Sequence, residues 1–145
     1  MKDEKYDIVM VEDNPSDAEL MIRALRSHKI ANSLIVLEDG EQALDYLFCN
    51  GQYADRDSLV SPKVIFLDIK LPKLNGLEVL KQLKSDDRTR KIPTIILTSS
   101  KQDPDIETAY NLGVNSYVVK PVDFNILNET IIQLGSYWLG VNEYT

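Results

Sequence analysis

Five polar side chains with the chemistry of a metal-assisted phosphoryl site each follow a short run of apolar residues. They are Glu12, Asp13, Asp68, Thr98 and Lys120. Carboxylate oxygens without nearby His or Cys favour Mg²⁺ over zinc. An aspartate beside a divalent metal can attack phosphorus and form an aspartyl phosphate, while a lysine ammonium pairs with phosphate and a threonine hydroxyl donates to it. Together these residue types indicate phosphoryl chemistry, provided that the fold brings them to one place.

Three acids in one crevice repel each other. Such a cluster is tolerable only if a cation neutralises it or if the acids are partly protonated. A bound metal ion and the Lys120 ammonium are the two cations that could neutralise Glu12, Asp13 and Asp68.

The stretch 63–72 is the segment around which the rest is organised. Residues 64–67 form an apolar run typical of a strand buried on both faces, and it ends at Asp68. Pro72 and Asn75-Gly76 exclude a helix directly behind this acid. Asp68 is therefore expected in a loop at the carboxyl end of a central strand, the edge at which open α/β sheets bind ligands.

Similar apolar runs predict four more strands, at 8–11, 34–37, 93–97 and 116–119. Helix signals lie between them, such as Asn14-Pro15 as N-cap and first helical residue, Asp103-Pro104 as a cap, and Gly113 as a helix stop. Five strands alternating with five helices predict a parallel sheet covered on both faces, with right-handed crossovers. All the strand ends, and hence the five polar side chains, then meet at one edge.

Helical spacing also predicts which side chains face the sheet. On the fourth helix these are Ile106, Ala109 and Tyr110. The last helix starts at Asp123, and its inward residues are expected to be Phe124, Leu127, Ile131, Leu134 and Trp138. The polar stretch 50–62 is long for a connection, and we expect it to be mobile rather than functional.

Composition limits the alternatives. A length of 145 residues predicts one domain, with a core of about residues 7–138 and no output domain. The net charge of −7 argues against a nucleic-acid partner. A lone Cys49 excludes an internal disulfide, and neither a signal peptide nor a membrane-length apolar span is evident, so we expect a cytoplasmic protein.

Several motifs, in order and with matching spacing, resemble the receiver domain of two-component response regulators. They are Val-Glu-Asp at 11–13, Leu-Asp-Ile-Lys-Leu-Pro at 67–72 with Gly76, Leu-Thr-Ser at 97–99 and Tyr-Val-Val-Lys-Pro at 117–121. The long loop before Pro62 and Ser-Tyr-Trp-Leu at 136–139 are most similar to stand-alone receivers associated with bacterial phytochromes.

The resemblance implies a flavodoxin-like three-layer fold with strand order 2-1-3-4-5. It implies that Asp68 accepts a phosphoryl group from a sensor histidine kinase, with a phytochrome-type kinase as one candidate, or from a histidine phosphotransfer protein. Mg²⁺ would be held by Glu12, Asp13, Asp68 and the backbone carbonyl of Lys70. Thr98 and Lys120 would bind the phosphoryl oxygens, Tyr117 would be the switch aromatic, and the Lys120–Pro121 bond would be cis.

If no output domain follows, the signal must leave by contact. The surface built from residues 103–139 is then expected to dock a partner protein or a second copy of the chain, and neither nucleic acid nor membrane is expected as a partner.

Three other functions compete with this interpretation. A haloacid-dehalogenase-like phosphatase needs a second Asp two residues after its nucleophile, where this sequence has Lys70. A flavodoxin-like electron carrier needs a Ser/Thr/Gly-rich phosphate loop after the first strand, where this sequence has Glu-Asp-Asn-Pro. A pseudo-receiver that only binds partners is disfavoured because all the catalytic positions are intact.

Overall fold

A computed structural model describes residues 6–28, 33–57 and 60–143. Its centre is a sheet of five parallel strands in the order β2-β1-β3-β4-β5. The strands are β1 (Ile8–Val11), β2 (Leu34–Leu37), β3 (Val64–Leu67), β4 (Thr94–Thr98) and β5 (Ser116–Val119). The predicted strand order and the flavodoxin-like architecture are confirmed.

Five helices alternate with the strands, as the sequence predicts. They are α1 (Pro15–Ser27), α2 (Gly40–Leu47), α3 (Gly76–Ser85), α4 (Asp103–Leu112) and α5 (Phe124–Ser136). A short 3₁₀ helix follows α2 at Gly51–Tyr53, and α5 continues into a π-helical segment, Tyr137–Val141. No helix in the described ranges is long and apolar enough to cross a membrane.

The sheet separates two cores, because successive side chains of a strand point to opposite faces. Val9, Val11, Ile65 and Leu67 pack with residues of α2, α3 and α4. On the other face, strand residues such as Met10 and Phe66 pack with α1 and α5. Burying a large aliphatic or aromatic side chain contributes about 1.5–3 kcal/mol, so both layers hold the strand ends in place.

Side-chain caps fix where most of the helices begin. The Asn14 side chain accepts hydrogen bonds from the amides of Ser16 and Asp17 at the start of α1. The α4 helix differs from expectation, because its N-cap is Gln102, which makes no side-chain capping bond, and Asp103 is already helical. It ends as predicted at Gly113, whose φ of 100° lies in the left-handed region that glycine tolerates.

Two side chains expected to face the sheet are instead exposed. Tyr110 is 52% exposed and Phe124 is 70% exposed. Helical spacing predicts the direction of an apolar face but not where its edges lie. Phe124 occupies the first turn of α5, and on α4 only Ala109 is fully buried. The other predicted contacts of α5 are found, because Leu127 and Ile131 are buried and Leu134 and Trp138 pack partly buried against the core.

The described part of the loop 50–62, residues 50–57 and 60–62, makes specific contacts with α2. The Arg56 side chain donates to the carbonyl of Tyr46 (2.9 Å) and to that of Val60 (2.7 Å). Its guanidinium lies 4.2 Å from the centre of the Tyr46 ring, and Tyr53 packs edge-on against the same ring. The described residues of this loop are thus anchored to α2 through Arg56 and Tyr53.

Candidate functional site

The carboxyl ends of β1 and β3 lie level, because Val11 and Leu67 are register partners. The acids that follow them therefore meet. One oxygen from each of Glu12, Asp13 and Asp68 lies within 4.8 Å of the others. Glu12 and Asp68 are buried and Asp13 is exposed. Three carboxylates at this separation, one of them open to solvent, form a donor set that a single hard cation fits.

Lys120 reaches this cluster from the end of β5. Its Nζ donates to Oδ2 of Asp68 (2.9 Å), to Oδ2 of Asp17 (3.1 Å) and to Oε1 of Glu12. The Lys120 side chain is only 9% exposed. A buried ammonium must be paired, and each of these carboxylates supplies a partner. Lys120 thus neutralises part of the negative charge of the crowded acids.

The environment shifts the pKa values of the buried pair. Burial raises the pKa of Glu12, while the hydrogen bond from Lys120 acts in the opposite direction. Burial alone would lower the pKa of Lys120, but hydrogen bonds to Glu12 and Asp68 outweigh it, and the pKa of Lys120 lies above its ordinary value. Lys120 is accordingly a permanent positive charge at neutral pH.

Thr98 lies next to Lys120 at the same edge. The backbone amide of Lys120 donates to the Thr98 carbonyl (2.7 Å), which continues the pairing of β4 with β5. The Thr98 side chain is fully buried, and its Oγ1 accepts a long bond of 3.4 Å from the Ser100 amide. A hydroxyl held this way can still donate its proton to another acceptor.

Tyr117 connects β5 to the segment that follows β4. Its hydroxyl donates to the Ser100 carbonyl (2.9 Å), and the Ser100 hydroxyl donates to Oδ2 of Asp105 on α4 (2.6 Å). Burial raises the pKa of the Tyr117 phenol. The half-buried ring therefore lies at the junction between the strand ends and α4.

The loop between β3 and α3 packs tightly behind Asp68. The Lys70 amide makes a long bond of 3.4 Å to Oδ1 of Asp68, and the Lys70 side chain is exposed. Gly76 approaches the same backbone so closely that a Cβ there would lie 2.0 Å from the Asp68 carbonyl oxygen. The Gly76 in the sequence motif is therefore required by close packing.

One expectation drawn from the resemblance is wrong. The described residues contain no cis peptide bond, so the bond between Lys120 and Pro121 is trans. The trans form is the favoured one before proline, by about 0.5–1 kcal/mol.

Sequence reasoning missed the part played by Asp17. The sequence marks this residue only as an acid in the first turn of a predicted helix. In the structure, its carboxylate also reaches Lys120, 103 residues further along the chain. The signal was present in the sequence, as an acid one helical turn beyond Glu12-Asp13, but only the packing of α1 shows where its side chain points.

Comparison with known proteins settles the class. The response regulator receiver domain family matches residues 8–132. The chain belongs to this family. It is a response regulator of the phosphoacceptor signalling type, built on the receiver fold.

Three relatives cover almost the whole chain. The probable methanogenesis regulatory protein FilR2 of Methanothrix harundinacea is 39% identical over 97% of this chain and 88% of its own length. The Mn²⁺-bound form of response regulator Rcp1, a protein of Synechocystis sp., matches with a TM-score of 0.88 and 33% identity over 95% of this chain and 97% of that one. The phosphorylated cyanobacterial phytochrome response regulator RcpA matches with a TM-score of 0.89 and 33% identity over 97% and 99%.

These similarities agree with the finer resemblance seen in the sequence. The fold neighbours include phytochrome response regulators, as the loop before Pro62 and the segment 136–139 suggest. One neighbour holds a divalent metal and another is phosphorylated. The acidic cluster of this chain is suited to a divalent cation in the same way.

Proposed function

We propose that Asp68 is the phosphoryl acceptor of this response regulator. The observation that supports this most directly is the placement of its carboxylate. Asp68 lies at the end of the central strand β3, beside the acids Glu12 and Asp13 and bonded to Lys120. The donor is a phosphohistidine, carried either by a sensor histidine kinase or by a histidine phosphotransfer protein.

Glu12, Asp13, Asp68 and the backbone carbonyl of Lys70 would hold Mg²⁺, which supplies charge neutralisation for the transfer. The donor set fits this ion because it consists of hard oxygen atoms, and no His or Cys belongs to the cluster. One ligand, Asp13, is exposed, and this leaves the cluster open for water and phosphoryl oxygens.

In the transfer, a carboxylate oxygen of Asp68 forms a bond to phosphorus while the bond from phosphorus to the donor imidazole nitrogen breaks. The electron pair of that bond stays on the imidazole. Lys120 and the Thr98 hydroxyl bind the phosphoryl oxygens and stabilise the charge on the group in transit. Buried positions for Asp68, Thr98 and Lys120 strengthen these interactions relative to water. The chain thus catalyses only its own phosphorylation, from the external phosphoryl donor, and its own dephosphorylation, in which water attacks phosphorus and the Asp68 carboxylate leaves.

Intact-mass analysis with Mg²⁺ and acetyl phosphate tests the acceptor. The protein should gain one phosphoryl group that base and hydroxylamine remove, and Asp68→Asn should abolish the gain. Asp87→Asn is a matched control, because that side chain is 91% exposed and lies outside the acidic cluster. Labelling that persists in Asp68→Asn, for instance on Ser or Thr, would show that the assignment is wrong. A wild type that is never labelled would favour a partner-binding pseudo-receiver.

A phytochrome-type kinase is the donor that the resemblance favours. The support is the similarity to RcpA, described as a cyanobacterial phytochrome response regulator, over 97% of this chain. Phosphotransfer from a purified bacterial phytochrome kinase should therefore be faster than transfer from a chemotaxis kinase at equal concentration.

The output surface is proposed to be the region 103–139, consisting of α4, β5 and α5. It contains exposed apolar side chains, among them Tyr110, Phe124 and Ile126. Such side chains suit a docking site for a partner protein or for a second copy in a homodimer. The net charge of −7 does not suit nucleic acid, and a cytoplasmic setting, where sensor kinases present their phosphohistidine, is part of the same proposal.

A further inference from the structure

Three carboxylates hold the Lys120 ammonium, but they are not equivalent. Glu12 and Asp68 also belong to the acidic cluster that would bind the metal. Asp17 lies outside that cluster, and its Oδ2 is 3.1 Å from the Lys120 Nζ. Asp17 is thus the partner of Lys120 that neither the candidate metal nor the phosphoryl group would occupy.

The position of Asp17 is fixed by the start of α1. The Asn14 side chain accepts a hydrogen bond from the Asp17 amide (3.1 Å), and Oε2 of Glu12 accepts one from the Asn14 amide (3.2 Å). The Asp17 side chain is 32% exposed, so water screens its bond to Lys120 only in part. An acid in the first turn of a helix is ordinarily explained by the dipole. The direct bond to a buried ammonium from another element goes beyond that explanation.

We infer that Asp17 is a positioning residue that holds Lys120 where the phosphoryl group arrives. The inference rests on the proposed function and deepens it. Once a divalent cation neutralises part of the charge on Glu12 and Asp68, their attraction for Lys120 falls, because the cation also repels the ammonium. Asp17 lies outside the acidic cluster, so its carboxylate remains directed at Lys120. It therefore limits the freedom of the long lysine side chain, whose ordering otherwise costs rotamer entropy.

The change in beryllofluoride affinity on removing the Asp17 charge has opposite signs for a positioning role and for simple electrostatic repulsion. Beryllofluoride is an anionic mimic of the phosphoryl group. Removing a negative charge near its site should tighten its binding if charge alone matters. If Asp17 positions Lys120, removing it should instead weaken binding, because the ammonium is no longer held in place.

The experiment is calorimetric titration of the full chain with beryllofluoride at saturating Mg²⁺, and with Mg²⁺ alone. The Asp17→Asn protein should bind beryllofluoride about fivefold more weakly than wild type, the scale of one weakened charge-assisted hydrogen bond. Glu19→Gln is the matched control. It removes one charge from the same helix, but its partner is the exposed Arg23. Its beryllofluoride affinity should stay at the wild-type level, and the two variants should bind Mg²⁺ alone with affinities within about twofold of each other.

A double-mutant cycle then tests whether the effect passes through Lys120. Asp17→Asn should cause no further loss of beryllofluoride affinity when Lys120→Met is already present. Equal or tighter binding by the single variant Asp17→Asn overturns the inference, as does an undiminished loss in the Lys120→Met background. A wild-type protein that binds no beryllofluoride would overturn the proposed function as well. Failure of the variant prediction alone leaves the acceptor assignment standing.

Discussion

At the scale of single residues, Lys120 neutralises some of the carboxylates of the site but not all of them. It is bonded to Glu12, Asp17 and Asp68 but has no hydrogen bond to Asp13. Asp13 nevertheless lies in the same cluster, with a carboxylate oxygen within 4.8 Å of those of Glu12 and Asp68. Without metal, therefore, Asp13 contributes repulsion that no described ion pair offsets.

Asp13→Asn should consequently raise the stability of the metal-free protein. Two like charges about 4–5 Å apart repel by roughly 1 kcal/mol in a highly solvated setting, which corresponds to a rise of about 3–4 °C in melting temperature for a chain of this size. The same substitution should weaken Mg²⁺ binding and phosphorylation, because it removes an anionic ligand. Thermal unfolding with EDTA and with Mg²⁺ measures both effects.

The control for this prediction is Asp87→Asn, which removes an exposed charge outside the cluster. It should leave both melting temperatures close to those of wild type. If Asp13→Asn melts below wild type in EDTA, repulsion among the three acids is not a significant term in the stability of this fold.

Most of the candidate site could be predicted from position alone. Glu12, Asp68 and Lys120 directly follow apolar strands, and parallel strands end at one edge, so their convergence needs no knowledge of side-chain packing. Asp17 could not be predicted in the same way. Its bond to Lys120 depends on how α1 lies across the sheet, and this follows from contacts between elements far apart in the sequence.

At the scale of elements, the conformation of the loop between β3 and α3 depends on the close packing of Gly76 against the backbone at Asp68. A methyl group at position 76 would lie 2.0 Å from the Asp68 carbonyl oxygen and 2.8 Å from the Ile69 Cα. Both are backbone atoms and cannot rotate away. Gly76→Ala should therefore destabilise the protein by about 3 kcal/mol, at the upper end of overpacking costs, and should slow phosphorylation by displacing Asp68.

Gly140→Ala is the matched control for that substitution, because a Cβ there has nothing within 4 Å. It should fold and become phosphorylated like wild type. Urea unfolding and acetyl phosphate labelling of the two variants provide the comparison. Equal stability of Gly76→Ala and Gly140→Ala would mean that the β3–α3 loop can move aside at little cost.

Arg56 anchors the described part of the loop 50–62 to α2, and this contact leads to a second prediction at the scale of elements. Arg56→Ala removes hydrogen bonds to the Tyr46 and Val60 carbonyls and the contact with the Tyr46 ring. It should cost about 1–2 kcal/mol of stability and speed hydrogen exchange at the Tyr53 and Ala54 amides. Because the loop lies away from the acidic cluster in sequence and in contacts, phosphorylation of Asp68 should be unchanged.

Arg26→Ala, on the exposed end of α1, serves as the control for loss of an arginine. Its exchange rates within 50–57 should match those of wild type. Unaltered exchange in Arg56→Ala would show that this anchor is dispensable.

Local sequence patterns predicted the positions of strands and helices more reliably than they predicted which side chains of a helix are buried. Four of the five strands begin and end where their apolar runs do, and β4 is shifted by one residue, because a buried strand is marked by its composition. The exposed Tyr110 and Phe124 show the limit. A helical repeat indicates which direction is apolar, but how much of that face the sheet covers depends on the tilt and length of the neighbouring elements.

At the scale of the whole molecule, charge bears on how the surface 103–139 can dock. Its ionisable acids are Asp103, Asp105, Glu107, Asp123 and Glu129. The one basic residue in the same range is Lys120, and its ammonium is buried in the site. In a symmetric dimer through this surface, each patch faces its own copy, so like charges meet. Self-association through 103–139 should therefore strengthen as salt screens the repulsion.

Tyr117 is the residue that would couple this surface to the phosphoryl site. Its hydroxyl is bonded to the Ser100 carbonyl, two residues after Thr98. We expect phosphorylation to draw Thr98 toward the phosphoryl oxygens and to let the ring turn inward behind it. A surface that binds better in the phosphorylated state shifts the population only by its differential affinity, and by reciprocity the bound partner should slow loss of the active state.

Sedimentation with and without beryllofluoride, at low and moderate salt, tests this coupling. Beryllofluoride should increase self-association or partner binding of wild type by about 5- to 150-fold, the usual range for coupled sites. Tyr117→Ala should lose most of that increase, because no ring remains to follow Thr98. Tyr117→Phe should keep it, since it retains the ring and loses only the bond to Ser100. If wild type and Tyr117→Ala associate identically in both states, and no partner distinguishes them, the signal leaves this receiver by a route that does not pass through Tyr117.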